Sequence, residues 1–538
     1  MGERAFDYVI VGAGSAGCVL AHRLSEDPDV RVLLIEAGGA DSPPMIHMPA
    51  GFPTLFRTDV DWDHSTHYEP GLGGRRVYLP RGRVLGGCSS TNYMVYIRGN
   101  RADYDEWRDL GCAGWGWSDL LPSFLRAEDN ERGASAWHGV GGPLAVSDQR
   151  HLSPVVDAAL EAAVACGLPR NDDFNGPAQD GVGRYQVTPR DGRRASTARC
   201  YLRPAADRPN LTVETHVRVT GVRIERGRAL GVRGLRLGHP LTFAADREVI
   251  LSAGAYGSPQ LLMLSGVGAP DELAALGIAP VAESPRVGHN LADHLVVPLV
   301  YRCAGEDSLL GVLNRSEHLA SFAEGRGPLT SNLVEGGGFL RSRGGLAAPD
   351  LQLFAIPAGF AGEGLTAVPA HAVSLGAAPL RPASRGRVAL ASPDPTAKPF
   401  ITHRYCREPE DLRVQVEGVR FTMEWAAARP LAGRLAGPLH APDSAARDDV
   451  VAFVRARAQT AYHPAGTCAM GADGGAVVDP ELRVRGVEGL RVVDASVMPV
   501  LPRGNTNAPT VAVAERAADL IRGQAPGLPE ASLIRTAP

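Results

Sequence analysis

Two glycine-bearing segments carry the residue types and spacing from which chemistry can be read. Gly12-Ala13-Gly14-Ser15-Ala16-Gly17 has glycine wherever a dinucleotide turn needs it. Gly12 allows the tight turn, Gly14 lets backbone approach a pyrophosphate, and Gly17 lets helix and strand pack closely. Ser15 and Ala16 then open a helix whose unpaired N–H groups face the phosphates. Further on, Glu36 offers a carboxylate that can accept hydrogen bonds from an adenosine ribose with a free 2′-hydroxyl. This fingerprint serves NAD and FAD alike. The second segment, from Pro80 to Asn92, sets Gly86 and Gly87 beside Cys88, Ser89, Ser90 and Thr91. Paired glycines next to small hydroxyl residues let main chain lie against a flat or anionic ligand. Together the segments suggest two walls of one large cofactor site.

The elements that must position them follow from hydrophobic pattern. Asp7 to Val11 is an apolar run of strand length, an amphipathic helix extends to about Leu24, and Arg31 to Ile35 forms a second strand ending at Glu36. Strand, glycine turn, helix, strand and acid thus fall within one βαβ unit. Asp103 to Leu125 has helical spacing, with Trp107, Trp115 and Trp117 read as core. Leu211 to Ile224 alternates as one strand, Val249 to Gly254 is a buried strand, and Ser258 to Leu264 begins a helix. Between Val296 and Thr460 the glycine fingerprints stop and strand-like pieces take over, at 350–356, 372–376 and 387–390. Thr510 to Arg522 reads as a helix with Pro509 in its first turn and Gly523 beyond its end. The irregular stretch after Glu36, through the aromatic segment Trp62 to Tyr68, either covers cofactor or substrate entrance or is a surface excursion.

At 538 residues the chain exceeds one ordinary domain, so two domains are expected. Hydrophobic residues at 44%, charged residues at 21% and a net charge of −4 suit a globular enzyme and give no sign of nucleic acid or an anionic membrane as partner. The eight cysteines are scattered without a CxxC pair, so neither a disulfide framework nor a metal site is signalled. The longest uncharged stretch, Leu251 to Pro270, contains four glycines and two prolines, which argues against a membrane-spanning helix. A strand begins within six residues of Met1 with no basic-then-apolar leader, and the expectation is a cytoplasmic protein.

The sequence resembles the glucose–methanol–choline oxidoreductase family of alcohol-oxidising flavoproteins, its choline dehydrogenase-like branch included. The resemblance rests on four segments: GAGSAG with Glu36; GRVLGGCSSTN; Gly254 to Gly268, GAYGSPQLLMLSGVG; and a C-terminal block containing AYHPAGTCAMG, VVDASVMP and GNTNAP. It implies an α/β protein with a Rossmann-like FAD-binding domain and a substrate domain built on a mainly antiparallel sheet flanked by helices. The implied ranges are 1–295 for the main FAD-binding part, with some substrate-side loops, 296–460 for the substrate domain, and 461–538 for the active-site segment and the return to the first domain. FAD contacts are implied at Arg83, Val84, Gly86, Gly87, Ser90, Asn92 and Val95, at Asp494 and Ala495, and at Asn507 and Ala508. Val217 would meet the adenine through its backbone. Some relatives carry a flavin-bonding histidine where this chain has Thr91, so the FAD here is expected to be non-covalent.

By the same resemblance His463 is the catalytic base and Asn507 its partner on the substrate oxygen, at the positive end of the last helix. An ordinary imidazole pKa of ~6.5 would suit that base at neutral pH. Tyr462 and Glu335 are the implied substrate residues. Glu335 lies where choline-oxidising relatives place an acid against a trimethylammonium group, yet the residues before it, Asn332, Leu333 and Val334, supply no aromatic cage. The expected substrate is therefore a neutral primary alcohol or polyol. The alternatives are a choline-like amino alcohol, an oxidase using O2 rather than a dehydrogenase using a quinone or dye-type acceptor, and a non-redox lyase on the same fold.

Overall fold

The computed structural model describes residues 5–524; residues 525–538, the end of the third expected range, lie outside it. β1 (Ala5–Val11), α1 (Ser15–Leu24) and β2 (Val32–Ile35) form the βαβ unit in the order the sequence predicts. β1 and β2 pair in parallel, Val9 opposite Leu33 and Ile10 opposite Leu34. All four residues are fully buried, because helices and loops cover both faces of a parallel sheet. Around this pair a seven-stranded sheet is ordered 211–214, β2, β1, 239–251, 228–236, 218–225, with 490–492 also pairing in parallel with 239–251.

Two predicted elements divide. The alternation from Leu211 to Ile224 continues through a sharp turn at His216 (φ 56°), giving strands Leu211–Glu214 and Arg218–Glu225 at opposite edges of the sheet. Period-two patterning cannot register a turn that keeps the same parity of apolar positions. The helical spacing from Asp103 to Leu125 belongs to two helices, Arg101–Asp109 and Trp117–Ala127, separated where Gly111 and Gly114 adopt φ of 95° and 82°. Trp107 and Trp115 are buried as expected, their indole N–H groups donating to the carbonyls of Val500 and Pro480.

The second sheet has seven strands, ordered 435–440, 295–303, 372–379, 351–356, 336–340, 181–184, with 459–460 joined to 295–303; all pairs are antiparallel. Its edge strand Gly181–Arg184 and the helix Pro154–Ala165 beneath it come from chain positions ahead of the 296–460 range expected for the substrate domain. Arg387–Ala389 pairs instead with Phe400–Thr402 in a separate ribbon. Along Leu351–Ile356 the side chains alternate. Leu351, Leu353 and Ala355 pack towards the helices Pro154–Ala165 and Pro409–Ala427, whereas Phe354 and Ile356 face a cavity. That alternation sets one face of the sheet against its helices and leaves the other as a wall of the site. Among the described residues no helix is long and apolar enough to cross a membrane.

Candidate active site

The cavity, about 410 Å³, is walled by both sheets and by the loops that follow Glu36 and Arg81. At one end the two glycine segments lock together. Gly86 N donates to Ala13 O (2.7 Å), and a Cβ on Gly87 (φ 51°) would fall 2.7 Å from Gly14 Cα, so no larger residue fits between the segments. A Cβ on Gly17 would sit 1.9 Å from Gly12 O, which is the close helix-to-strand contact its position predicts. α1 starts at Gly14 with no side-chain cap and no acid in its first turn, and Gly12, Gly14, Ser15 and Ala16 line the cavity. A helix start of this kind suits a pyrophosphate.

Glu36 also lines the cavity, its carboxylate accepting from Ala13 N (3.0 Å) and Gly38 N (2.8 Å). Burial pushes its pKa up to about 7. Each oxygen retains a lone pair for a ribose hydroxyl. Val217 lines the same end, but its N–H donates to Glu36 O (2.9 Å), so a backbone contact to adenine falls to its carbonyl. Asp494 ties the third motif to the C-terminal block, accepting from Gly254 N (2.8 Å), Ser258 Oγ (2.5 Å) and Ser496 N (2.8 Å). Arg83, Gly87, Asn92, Val95, Asp494, Ala495 and Asn507 are on the cavity wall. Val84, Gly86, Ser90 and Ala508 are not, and they shape it from behind: Ser90 Oγ, for instance, donates to Leu85 O (2.7 Å). Thr91 faces the cavity. A hydroxyl there cannot form the histidyl–flavin bond, so acid precipitation of the holoprotein is expected to leave yellow FAD in the supernatant; colour held in the pellet would contradict this.

His463 stands on the same cavity wall. Its Nδ1 lies 3.0 Å from Nδ1 of His294, its Nε2 lies 3.0 Å from Nδ2 of Asn505, and its backbone N–H donates to Asp293 (2.8 Å). Burial, reinforced by the neighbouring His294 and Arg81, holds the imidazole well below its ordinary value rather than at it, so the ring is neutral near pH 7. The asparagine beside the histidine is thus Asn505, not Asn507. Asn507 accepts from Ser15 Oγ (2.8 Å) and joins the starts of the first and last helices. The string Gly504-Asn505-Thr506-Asn507 holds two identical side chains two residues apart, and only the observed helix start at Asn507 separates their directions.

Glu335 also departs from expectation. Its carboxylate is buried against the helix Pro154–Ala165, accepting from Ser153 N (2.7 Å), Ser153 Oγ (3.0 Å) and Ser331 Oγ (2.6 Å), and Val334 rather than Glu335 reaches the cavity. The acid therefore caps a helix start, where negative charge is favoured. Tyr462 does line the cavity, held at φ 69° with its ring stacked on Tyr93 (5.9 Å, 16°) and 6.2 Å from Phe56. Phe360, 6.2 Å from Tyr93, continues the aromatic wall. These rings come from four separate loops, a convergence no local string displays. His294 and Gln352 were likewise invisible, being ordinary polar residues without a local motif.

A dinucleotide-binding fold joined to a buried histidine paired with a half-buried asparagine describes a cofactor-dependent oxidoreductase. Family models described as GMC oxidoreductase match residues 6–296 and 382–514. The chain is 43% identical over 528 residues to an alcohol dehydrogenase (acceptor) of Pseudomonas putida, covering 96% of this chain and 95% of that protein. It is 43% identical over 539 residues to the mitochondrial choline dehydrogenase of Homo sapiens, covering 96% and 90%. Among solved structures, pyridoxine 4-oxidase from Mesorbium loti superposes with a TM-score of 0.88 at 34% identity, covering 96% of this chain and 99% of that one. Formate oxidase superposes at 0.91 with 29% identity, covering 97% and 99%. The chain belongs to the GMC oxidoreductase family of FAD-dependent enzymes.

Proposed function

We propose that the protein is an alcohol dehydrogenase that oxidises a neutral primary alcohol bearing an apolar substituent, with His463 as the base. The observation that carries this reading is the His463 Nε2 to Asn505 Nδ2 pairing on the cavity wall. An alcohol oxygen bound beside the pair, in place of their direct contact, would accept from Asn505 Nδ2 and give its proton to His463 Nε2, while its carbinol C–H is held towards the cofactor. FAD, when bound, supplies the two-electron acceptor for the C–H hydrogen and its electron pair. Gly12, Gly14, Ser15, Glu36 and Asp494 would hold it. Asn505 is kept in orientation by Gln352, whose Nε2 donates to Asn505 Oδ1 (3.1 Å).

The chamber beyond His463 favours an apolar substituent over a polyol. Phe56, Tyr93, Phe360, Tyr462, Val296, Val334, Phe354 and Ile356 contribute to its wall. Two of its polar side chains are already engaged: Ser374 Oγ donates to Ala358 O and accepts from Phe360 N, and Thr460 Oγ1 donates to Asp293 and accepts from Tyr462 N. Each polyol hydroxyl buried there without a partner would cost about 1–3 kcal/mol. The aromatic rings would also attract a quaternary ammonium, which keeps a choline-like amino alcohol as the second reading. Against it, Glu335 is turned away and the half-buried cation Arg81 stands in the wall. Use of an acceptor other than O2 accords with the name of the Pseudomonas relative.

Anaerobic mixing with matched alcohols, followed at the flavin absorbance, tests the substrate. Benzyl alcohol or a medium-chain 1-alkanol should reduce the flavin faster than glycerol or choline, and Glu335→Gln should leave that ranking intact. A strong choline preference that vanishes in the glutamine variant would establish the amino alcohol instead. Reoxidation by a quinone analogue should outpace reoxidation by air; the reverse would make the enzyme an oxidase.

A further inference from the structure

The tautomer of His463 is decided by groups outside the cavity. His294 is completely buried and is not part of the cavity wall. Its Nε2 lies 3.1 Å from Leu380 O, and a carbonyl can only accept, so Nε2 carries the hydrogen. Burial pushes the His294 imidazole down to about 3, so it carries only that one hydrogen and its Nδ1 presents a lone pair. The Nδ1 to Nδ1 contact with His463, 3.0 Å with the rings edge to face at 85°, then needs a hydrogen on the His463 side. A neutral His463 protonated on Nδ1 is bare on Nε2.

The opposite side of the ring gives the same answer independently. Asn505 Oδ1 is taken by Gln352 Nε2, so the group that Asn505 turns to His463 Nε2 is its donor, Nδ2. A donor facing Nε2 is tolerated only if Nε2 is a lone pair. His294 also holds the loop itself, since Ala461 N donates to His294 O (2.8 Å) and the adjoining Asp293 takes His463 N.

We propose that His294 is a positioning residue that fixes His463 in the Nδ1–H tautomer and so leaves Nε2 free to take the substrate proton; the inference rests on His463 being the base. In that step the alcohol O–H bond breaks and an N–H bond forms at His463 Nε2. The Nδ1–H bond stays intact, and its hydrogen bond to His294 becomes charge-assisted and stronger as the ring turns cationic. Without the His294 lone pair, Nδ1–H would be buried without an acceptor, and the ring would shift towards the tautomer that has no lone pair at Nε2.

The test uses the FAD-loaded protein. With histidine labelled in ¹⁵N, the NMR signals lost in His463→Gln identify His463, which should show a protonated Nδ1 and a bare Nε2 in the wild type. A wild-type His463 protonated on Nε2 would overturn the proposal without any kinetic measurement, so a variant that fails to fold does not protect it. His294→Leu, which has no acceptor, should slow flavin reduction at saturating alcohol by roughly 10- to 100-fold, with FAD content and substrate KM little changed. His294→Asn, whose Oδ1 can take the place of Nδ1, should recover most of the rate. A His294→Leu enzyme as fast as wild type would sink the proposal. Loss of the base reading has a different signature, normal flavin reduction in His463→Ala, which leaves the tautomer measurement standing by itself.

Discussion

His463→Ala should retain FAD and lose alcohol oxidation by several orders of magnitude. General-base catalysis alone contributes roughly 10²–10⁴-fold, and in the proposed reaction the same side chain also fixes the substrate oxygen, so both contributions disappear together. FAD retention is expected because the dinucleotide turn, Glu36 and Asp494 make no hydrogen bond to His463. The pH dependence carries the same assignment. Burial holds the imidazole well below its usual value, so its neutral, proton-accepting form persists as pH falls through ~6.5. The acid limb of the flavin-reduction rate should therefore lie below that value and be absent in the alanine variant. Rapid-mixing absorbance with the best alcohol measures both, and a variant that reduced its flavin at the wild-type rate would remove His463 from the chemistry.

Asn505→Ala and Asn507→Ala should fail in different ways. In the proposed reaction Asn505 offers its Nδ2 donor at the place where charge develops on the substrate oxygen, and loss of such a donor costs about 10²–10³-fold in kcat. Asn507→Ala removes the hydrogen bond from Ser15 Oγ, which holds the start of α1 to the last helix beside the dinucleotide turn. Its expected signature is weaker FAD retention on gel filtration, with near-normal reduction of the molecules that keep their flavin. The opposite pattern, slow chemistry in the Asn507 variant and none in the Asn505 variant, would restore Asn507 beside the substrate.

How legible the protein is depended on whether a feature is local. The βαβ unit was readable because turn, helix and acid are consecutive and each glycine has its own steric reason, and the loop around Gly86 and Gly87 was readable on the same ground. Asn505 and Asn507 could not be ranked, since the identical side chains differ only in the direction set by the helix start between them. Glu335 misled because a carboxylate in a suggestive string says nothing about which way it faces ahead of the strand Gly336–Leu340, and the helix start at Ser153 that claims it is 182 residues away. The aromatic wall and His294 lay beyond reach for a similar reason. Phe56, Tyr93, Phe360 and Tyr462 meet only after both sheets are built, and the meaning of His294 lies in the two atoms its ring bridges.

The sheet that holds the dinucleotide turn takes its seventh strand from 490–492, and α1 is pinned by Arg23 to Glu515 and by Ser15 to Asn507, partners 492 positions later in the chain. As the polypeptide leaves the ribosome, the fingerprint is therefore made 492 residues before the partners that complete it. Until the helix Asn507–Arg522 emerges, the face of α1 that packs against it has no partner, and the nascent chain must wait with apolar surface open. Contacts of such long sequence separation are slow to form and favour aggregation while they are missing. Chains ending before residue 490 should consequently keep every glycine of the fingerprint and still emerge colourless and insoluble, and slower translation or chaperone supply should raise the yield of yellow protein more than added flavin does.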